Sequence, residues 1–180
     1  MIPFYKELLY DNSLTPNERI VYSYLIYKSI SYIGCAFNQD GIDMDVITDT
    51  LETERYITMY KISYRKLADE LCMSPRSVID ILHDFKFFGI IDGYDIHIPS
   101  AIVNGGYFPL CLRNGLNGKL LIFYSYIKNK SEKFGGQIDT FKWKLAEELK
   151  TTKIAITNML NRLYKLKLAK RLSNGNLIVY

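Results

Sequence analysis

The stretch Ile62-Ser63-Tyr64-Arg65-Lys66-Leu67-Ala68-Asp69-Glu70-Leu71-Cys72-Met73-Ser74-Pro75-Arg76-Ser77-Val78 holds two helix starts in seventeen residues. Ser63 and Ser74 are N-capping residues, Pro75 suits a first helical position, and Ile62 and Leu67 have the spacing of a hydrophobic staple. Leu67, Ala68 and Leu71 recur at helical spacing. After a turn of three to four residues, Val78, Ile81, Leu82 and Phe85 do the same. The pattern predicts two short helices joined by a tight turn. Past them, Ile90-Ile91-Asp92-Gly93-Tyr94 to Ile98 reads as two short strands around an Asp-Gly turn.

Upstream, Thr15-Pro16-Asn17-Glu18 starts a longer helix. Thr15 caps, Pro16 takes the first position and Glu18 reaches back to complete a capping box. Ile20, Val21, Tyr24 and Leu25 then share one face. The whole arrangement occurs twice. Tyr22-Ser23-Tyr24 and Lys28-Ser29 recur as Tyr124-Ser125-Tyr126 and Lys130-Ser131, an offset of 102. Leu67-Ala68-Asp69-Glu70-Leu71 recurs as Leu145-Ala146-Glu147-Glu148-Leu149, an offset of 78 that also carries Ser74 onto Thr152, Val78 onto Ile156 and Phe85 onto Leu163. A second hairpin is expected at Leu172 to Ile178, around Asn174-Gly175. Two units follow, residues 1–104 and 105–180, linked near Gly105-Gly106. The 24-residue difference between the offsets is an insertion within residues 30–62, where Gln39-Asp40-Gly41 and Ile57-Thr58-Met59-Tyr60 suggest a hairpin or irregular loop.

These residues resemble the winged-helix family of DNA-binding domains. They are Ile62 to Leu71, then Met73-Ser74-Pro75-Arg76-Ser77-Val78, then Phe88-Gly89-Ile90-Ile91, in a pattern repeated in the second unit. The opening Leu14-Thr15-Pro16-Asn17-Glu18-Arg19, with its Tyr-rich helix and long insertion, looks most like replication initiators of plasmids and phages. The expected fold is mainly α with small β-hairpin wings, in two tandem winged-helix domains. One position departs from the family. The turn after Glu-Leu, where Gly usually adopts a left-handed backbone, holds Cys72 in one unit and Lys150 in the other. A left-handed non-Gly residue costs roughly 1 kcal/mol, so the expectation is a turn of different shape.

The resemblance implies a third helix in the major groove and a wing on phosphate or the minor groove. In the second unit it marks Thr152, Lys153, Thr157, Asn158, Asn161 and Arg162 as outward-facing, with Lys165, Lys167, Lys170 and Arg171 continuing to the wing. From Lys150 to Arg171 there are seven basic residues and no acidic one. Asn pairs with adenine and Arg with guanine, whereas Lys and Thr mostly hold phosphates. In the first unit the equivalent helix, capped by Ser74, presents Arg76, Ser77, Ile79, Asp80, His83 and Asp84, and Arg65 flanks it. Carboxylates there repel phosphates, which leaves that unit either direct contact or support and homodimerisation.

Charge follows the same division. Residues 1–104 hold 9 Lys/Arg and 15 Asp/Glu, a net −6, and residues 105–180 hold 14 and 4, a net +10. Such asymmetry suits a basic half that faces a polyanion. Other chemistries have little material. The 180 residues contain 2 His and 3 Cys, with no Cys-x-x-Cys, phosphate loop, dinucleotide fingerprint or His-Glu-x-x-His. Asp40, Asp43, Asp45 and Asp49 lack the order of an EF-hand loop and read as a solvated acidic stretch. The recurring Tyr22, Tyr24, Tyr124 and Tyr126 read as packing residues. With no secretory signal and no apolar run long enough to span a bilayer, the expectation is a cytoplasmic, non-enzymatic protein. Its expected partner is duplex DNA, with a homodimer as the protein partner and no membrane, cofactor, metal or small-molecule substrate. The competing class is a winged-helix protein–protein scaffold in replication or chromosome organisation.

Overall fold

The capping residues close helices in the computed structural model, which describes residues 2–40, 55–58, 63–113, 115–138 and 141–180. The first elements are β1 (Ile2–Tyr5), a 3-10 turn (Lys6–Leu9), α1 (Pro16–Asp40), β2 (Arg55–Thr58), α2 (Tyr64–Leu71) and α3 (Pro75–Phe87). Next come β3 (Ile91–Asp92), β4 (Asp95–Ile98), α4 (Ser100–Asn104) and β5 (Tyr107–Leu110). The chain continues through α5 (Gly118–Lys133), β6 (Gln137–Ile138), α6 (Lys142–Glu148), α7 (Lys153–Lys165), β7 (Ala169–Arg171) and β8 (Leu177–Val179). The protein is thus mainly helical with small antiparallel strand sets. Among the described residues, no helix is long and apolar enough to cross a membrane.

Local chemistry accounts for the helix starts. Thr15 Oγ1 accepts from the Glu18 N–H at 3.4 Å while the Glu18 carboxylate takes the Thr15 N–H, which is the expected capping box. Ser63 accepts from the Lys66 N–H at 3.2 Å, Ser74 from the Ser77 N–H at 3.1 Å and Thr152 from the Ala155 N–H at 3.1 Å.

The repeat survives in three dimensions. The strand order β2-β4-β3 of one sheet matches β6-β8-β7 of another, each set flanked by three helices in the same sequence. Tyr22 donates to the His97 carbonyl at 2.5 Å, and Tyr124 donates to the Tyr180 carbonyl, so each long helix is tied to the end of its own hairpin. Buried Ser23 and Ser125 accept the backbone N–H of Tyr5 at 3.0 Å and of Cys111 at 2.9 Å. Tyr24 donates to Glu70 and Tyr126 to Glu148; the same carboxylates pair with Lys28 and Lys130 at 3.5 and 2.6 Å. The Tyr24 hydrogen bond, helped by Lys28 and opposed by burial, holds the Glu70 carboxyl below its usual range. Burial, reinforced by Glu148, pushes the Tyr126 hydroxyl up.

A third sheet joins the two halves. β1 pairs antiparallel with β5, placing Phe4 opposite Phe108 with ring centroids 5.3 Å apart, and α1 packs on α5. The buried residues of both halves form one continuous apolar cluster.

One expectation is corrected. The turns after α2 and α6 keep the left-handed shape without glycine: Cys72 has φ 54° and Lys150 φ 44°. Each is locked by the same pair of bonds, Cys72 N–H to Asp69 O and Met73 N–H to Ala68 O in one unit, Lys150 N–H to Glu147 O and Thr151 N–H to Ala146 O in the other. These bonds satisfy carbonyls that the helix end would otherwise orphan, which outweighs the steric cost. The segment at 30–62, expected to hold a hairpin or irregular loop, is described in part. α1 runs on to Asp40, and residues 55–58 form the strand β2, paired with β4 as Ile57 opposite Ile96. Ile62, Met59, Tyr60 and the acidic stretch 43–49 lie outside the described residues.

Candidate nucleic-acid interface

The face of α7 is decided by where its apolar residues point. Ile156, Met159, Leu160 and Leu163 are buried, so a helix of 3.6 residues per turn turns Ile154, Asn158, Asn161 and Lys165 directly outward. Lys153, Asn158, Asn161, Arg162 and Lys165 are all exposed, and the strand that follows exposes Lys170 and Arg171. Among the described residues, no carboxylate lies within ion-pair distance of Lys153, Arg162, Lys165, Lys170 or Arg171. Five cations on one helix and its adjoining strand are therefore available to an external anion. Arg171 also sits near Tyr164, whose hydroxyl is pushed up by burial and drawn back by that guanidinium.

Three of the expected residues have structural duties. Thr152 is the helix cap, and Thr157 donates its hydroxyl to the Lys153 carbonyl at 2.9 Å, keeping only acceptor capacity. Lys150 sits in the left-handed turn with Nζ 4.1 Å from the Tyr10 ring centroid, so it packs against the N-terminal segment.

The first unit places other chemistry on the matching positions. Arg76 is exposed but paired with Asp80 at 3.1 Å, and Ser74 and Ser77 are engaged in capping with their hydroxyls 2.8 Å apart. Where α7 presents Asn158, Asn161 and Arg162, α3 presents Asp80, His83 and Asp84. Its end exposes Phe87 and Phe88. Arg65 is exposed on the first turn of α2.

Two features escaped the sequence reading. Lys119, at the start of α5, donates to Thr151 Oγ1 at 3.0 Å and lines a shallow cavity with Arg162, so it adds a cation beside α7. Only the folding of α5 against the α6–α7 turn brings it there. Ile154 is 74% exposed at the N-terminal end of the outward stripe. The offset of 78 places it on Arg76, and that correspondence was the signal that could have found it.

In comparisons with known proteins, no family model, no curated protein and no solved structure matches this chain.

Proposed function

We propose that the protein binds duplex DNA sequence-specifically through two tandem winged-helix domains. The second domain supplies most of the electrostatic affinity, and the first aids specificity or homodimerisation. The observation that carries this reading is the outward face of α7. It combines unpaired Lys153, Arg162 and Lys165 with Asn158 and Asn161, and it continues into Lys170 and Arg171. Cations neutralise phosphates and release counterions, whereas Asn and Arg distinguish base edges. Ile154 is suited to apolar contact with a thymine methyl group. The helix order, the strand set and the hairpin after each third helix support the winged-helix reading.

In this reading the protein acts without catalysis, as a replication initiator-like protein or a transcription regulator of a mobile element. A second reading, a protein–protein scaffold, is favoured by the first unit alone, where Asp84 and Phe87 stand at the positions of Arg162 and Lys165 and Phe88 is exposed beside them.

The test is binding to short duplex DNA across a salt series. The slope of log affinity against log salt is expected to correspond to roughly four or more phosphates. Lys153→Ala with Arg162→Ala is expected to lower that slope by about 1.8, since each phosphate contributes roughly 0.9. No binding at about 50 mM salt, where such affinities are high, overturns the reading in favour of the scaffold.

A further inference from the structure

The duplicated fold provides its own control for which residues folding requires. In the first unit α2 starts at Ser63, whose hydroxyl caps the helix, and its second residue is Arg65. In the second unit the matching positions are Phe141 and Trp143. Phe141 makes no side-chain cap bond for α6. A missing cap costs about 1 kcal/mol, and neither ring recovers it by burial: Phe141 is 54% exposed and Trp143 59%. Residues that break a local rule without a packing return mark sites of function.

The two rings stand 6.2 Å apart at an interplanar angle of 39°. Beside them opens a cleft of about 290 Å³ between the end of α5 and the start of α6. It is lined by Lys130, Phe134, Gln137, Ile138, Phe141 and Lys144, and Phe134 is itself 67% exposed. The segment that supplies its walls is rich in lysine, and of the two lining lysines Lys144 has no ion-pair partner among the described residues. Between Lys128 and Lys144 there are five lysines against Glu132 and Asp139. Lys130 is neutralised by Glu148 and Lys128 is 4.0 Å from Glu132, but among the described residues Lys133, Lys142 and Lys144 pair with no carboxylate.

Exposed aromatic faces set among unpaired lysines match the chemistry of single-stranded nucleic acid, whose bases stack while its phosphates seek cations. An acidic partner would need no platform of open rings, and an apolar one no lysine border. We infer that Phe134, Phe141 and Trp143 form a stacking site for unpaired bases of single-stranded DNA, separate from the outward face of α7. This inference goes beyond duplex binding and does not depend on it.

Trp143 is the single tryptophan of the chain, so its emission reports the site directly. The 180-residue protein is titrated with a fifteen-residue oligothymidylate, with an abasic strand of the same length as control and a labelled duplex in parallel. Saturable quenching of Trp143 by oligothymidylate is expected, with affinity about a hundredfold above the abasic strand, as two stacked bases confer. Phe141→Ser, which installs the capping residue of the first unit, and Phe134→Ala are each expected to lower oligothymidylate affinity about tenfold while leaving the duplex affinity unchanged. Unquenched emission, equal affinity for the abasic strand, or variants that bind oligothymidylate as the parent does would each overturn the inference. Loss of duplex binding alone would bear only on α7.

Discussion

At the scale of single residues, the left-handed turns balance backbone strain against hydrogen bonds and side-chain contact. A non-Gly residue in this conformation costs about 1–2 kcal/mol, and replacing it by Gly brings back an entropic cost of about 0.5–1. Cys72 is exposed, so Cys72→Gly is expected to stabilise the protein by about 0.5 kcal/mol, a rise in Tm of about 1–2 °C. Lys150 has the same backbone but also lies over Tyr10, a contact worth about 0.5–1 kcal/mol. Lys150→Gly is therefore expected to leave Tm nearly unchanged, and thermal melts of the two variants side by side check the difference. Gly89 and Lys167 repeat the comparison after the third helices, at φ 72° and 57°. The positions were legible in the sequence, but the backbone shape was not. Residue type predicts strain, and only the paired bonds from Met73 to Ala68 and from Thr151 to Ala146 show why it is tolerated.

At the scale of elements, α3 and α7 are one structural part carrying two surfaces. Both have thirteen residues, an N-cap hydroxyl, a buried apolar stripe and a left-handed exit. Their outward faces differ, with Asp80, His83 and Asp84 on one and Asn158, Asn161 and Arg162 on the other. Asp80→Asn with Asp84→Arg gives α3 the pattern of α7 and releases Arg76 from its ion pair. The expected outcome is tighter non-specific duplex binding, with a salt slope steeper by about two phosphate equivalents, or about 1.8. An unchanged slope on the same duplex would mean that α3 does not face the DNA. The three helices expected in each unit, with the caps at Thr15, Ser63, Ser74 and Thr152, were read correctly because they depend on neighbours three or four positions away, whereas the short helix Ser100–Asn104 was missed. Strand β2 was legible only as one of two alternatives, because residues 55–58 owe their conformation to pairing with β4, some forty residues later.

At the scale of the whole molecule, two repeated units share one core. Phe4 is fully buried, faces Phe108 across the β1–β5 sheet and belongs to the same cluster as Leu145 and Leu163. Phe4→Ala is expected to cost about 3–5 kcal/mol. Because the core is continuous, Trp143 emission, which reports from the far half, is expected to move to the same lower denaturant midpoint as far-ultraviolet circular dichroism. Separate transitions for the two probes would show that the halves unfold independently. The sequence by itself determined the repeat, the helix starts and the separation of acidic from basic halves, since each is a matter of residue type and spacing along the chain. The tertiary structure alone decided the sheet joining Ile2–Tyr5 to Tyr107–Leu110, the approach of Lys119 to Thr151 and the open cleft at Phe134 and Phe141 beside Trp143. These depend on which surfaces meet or stay bare after packing, and no local pattern encodes that outcome.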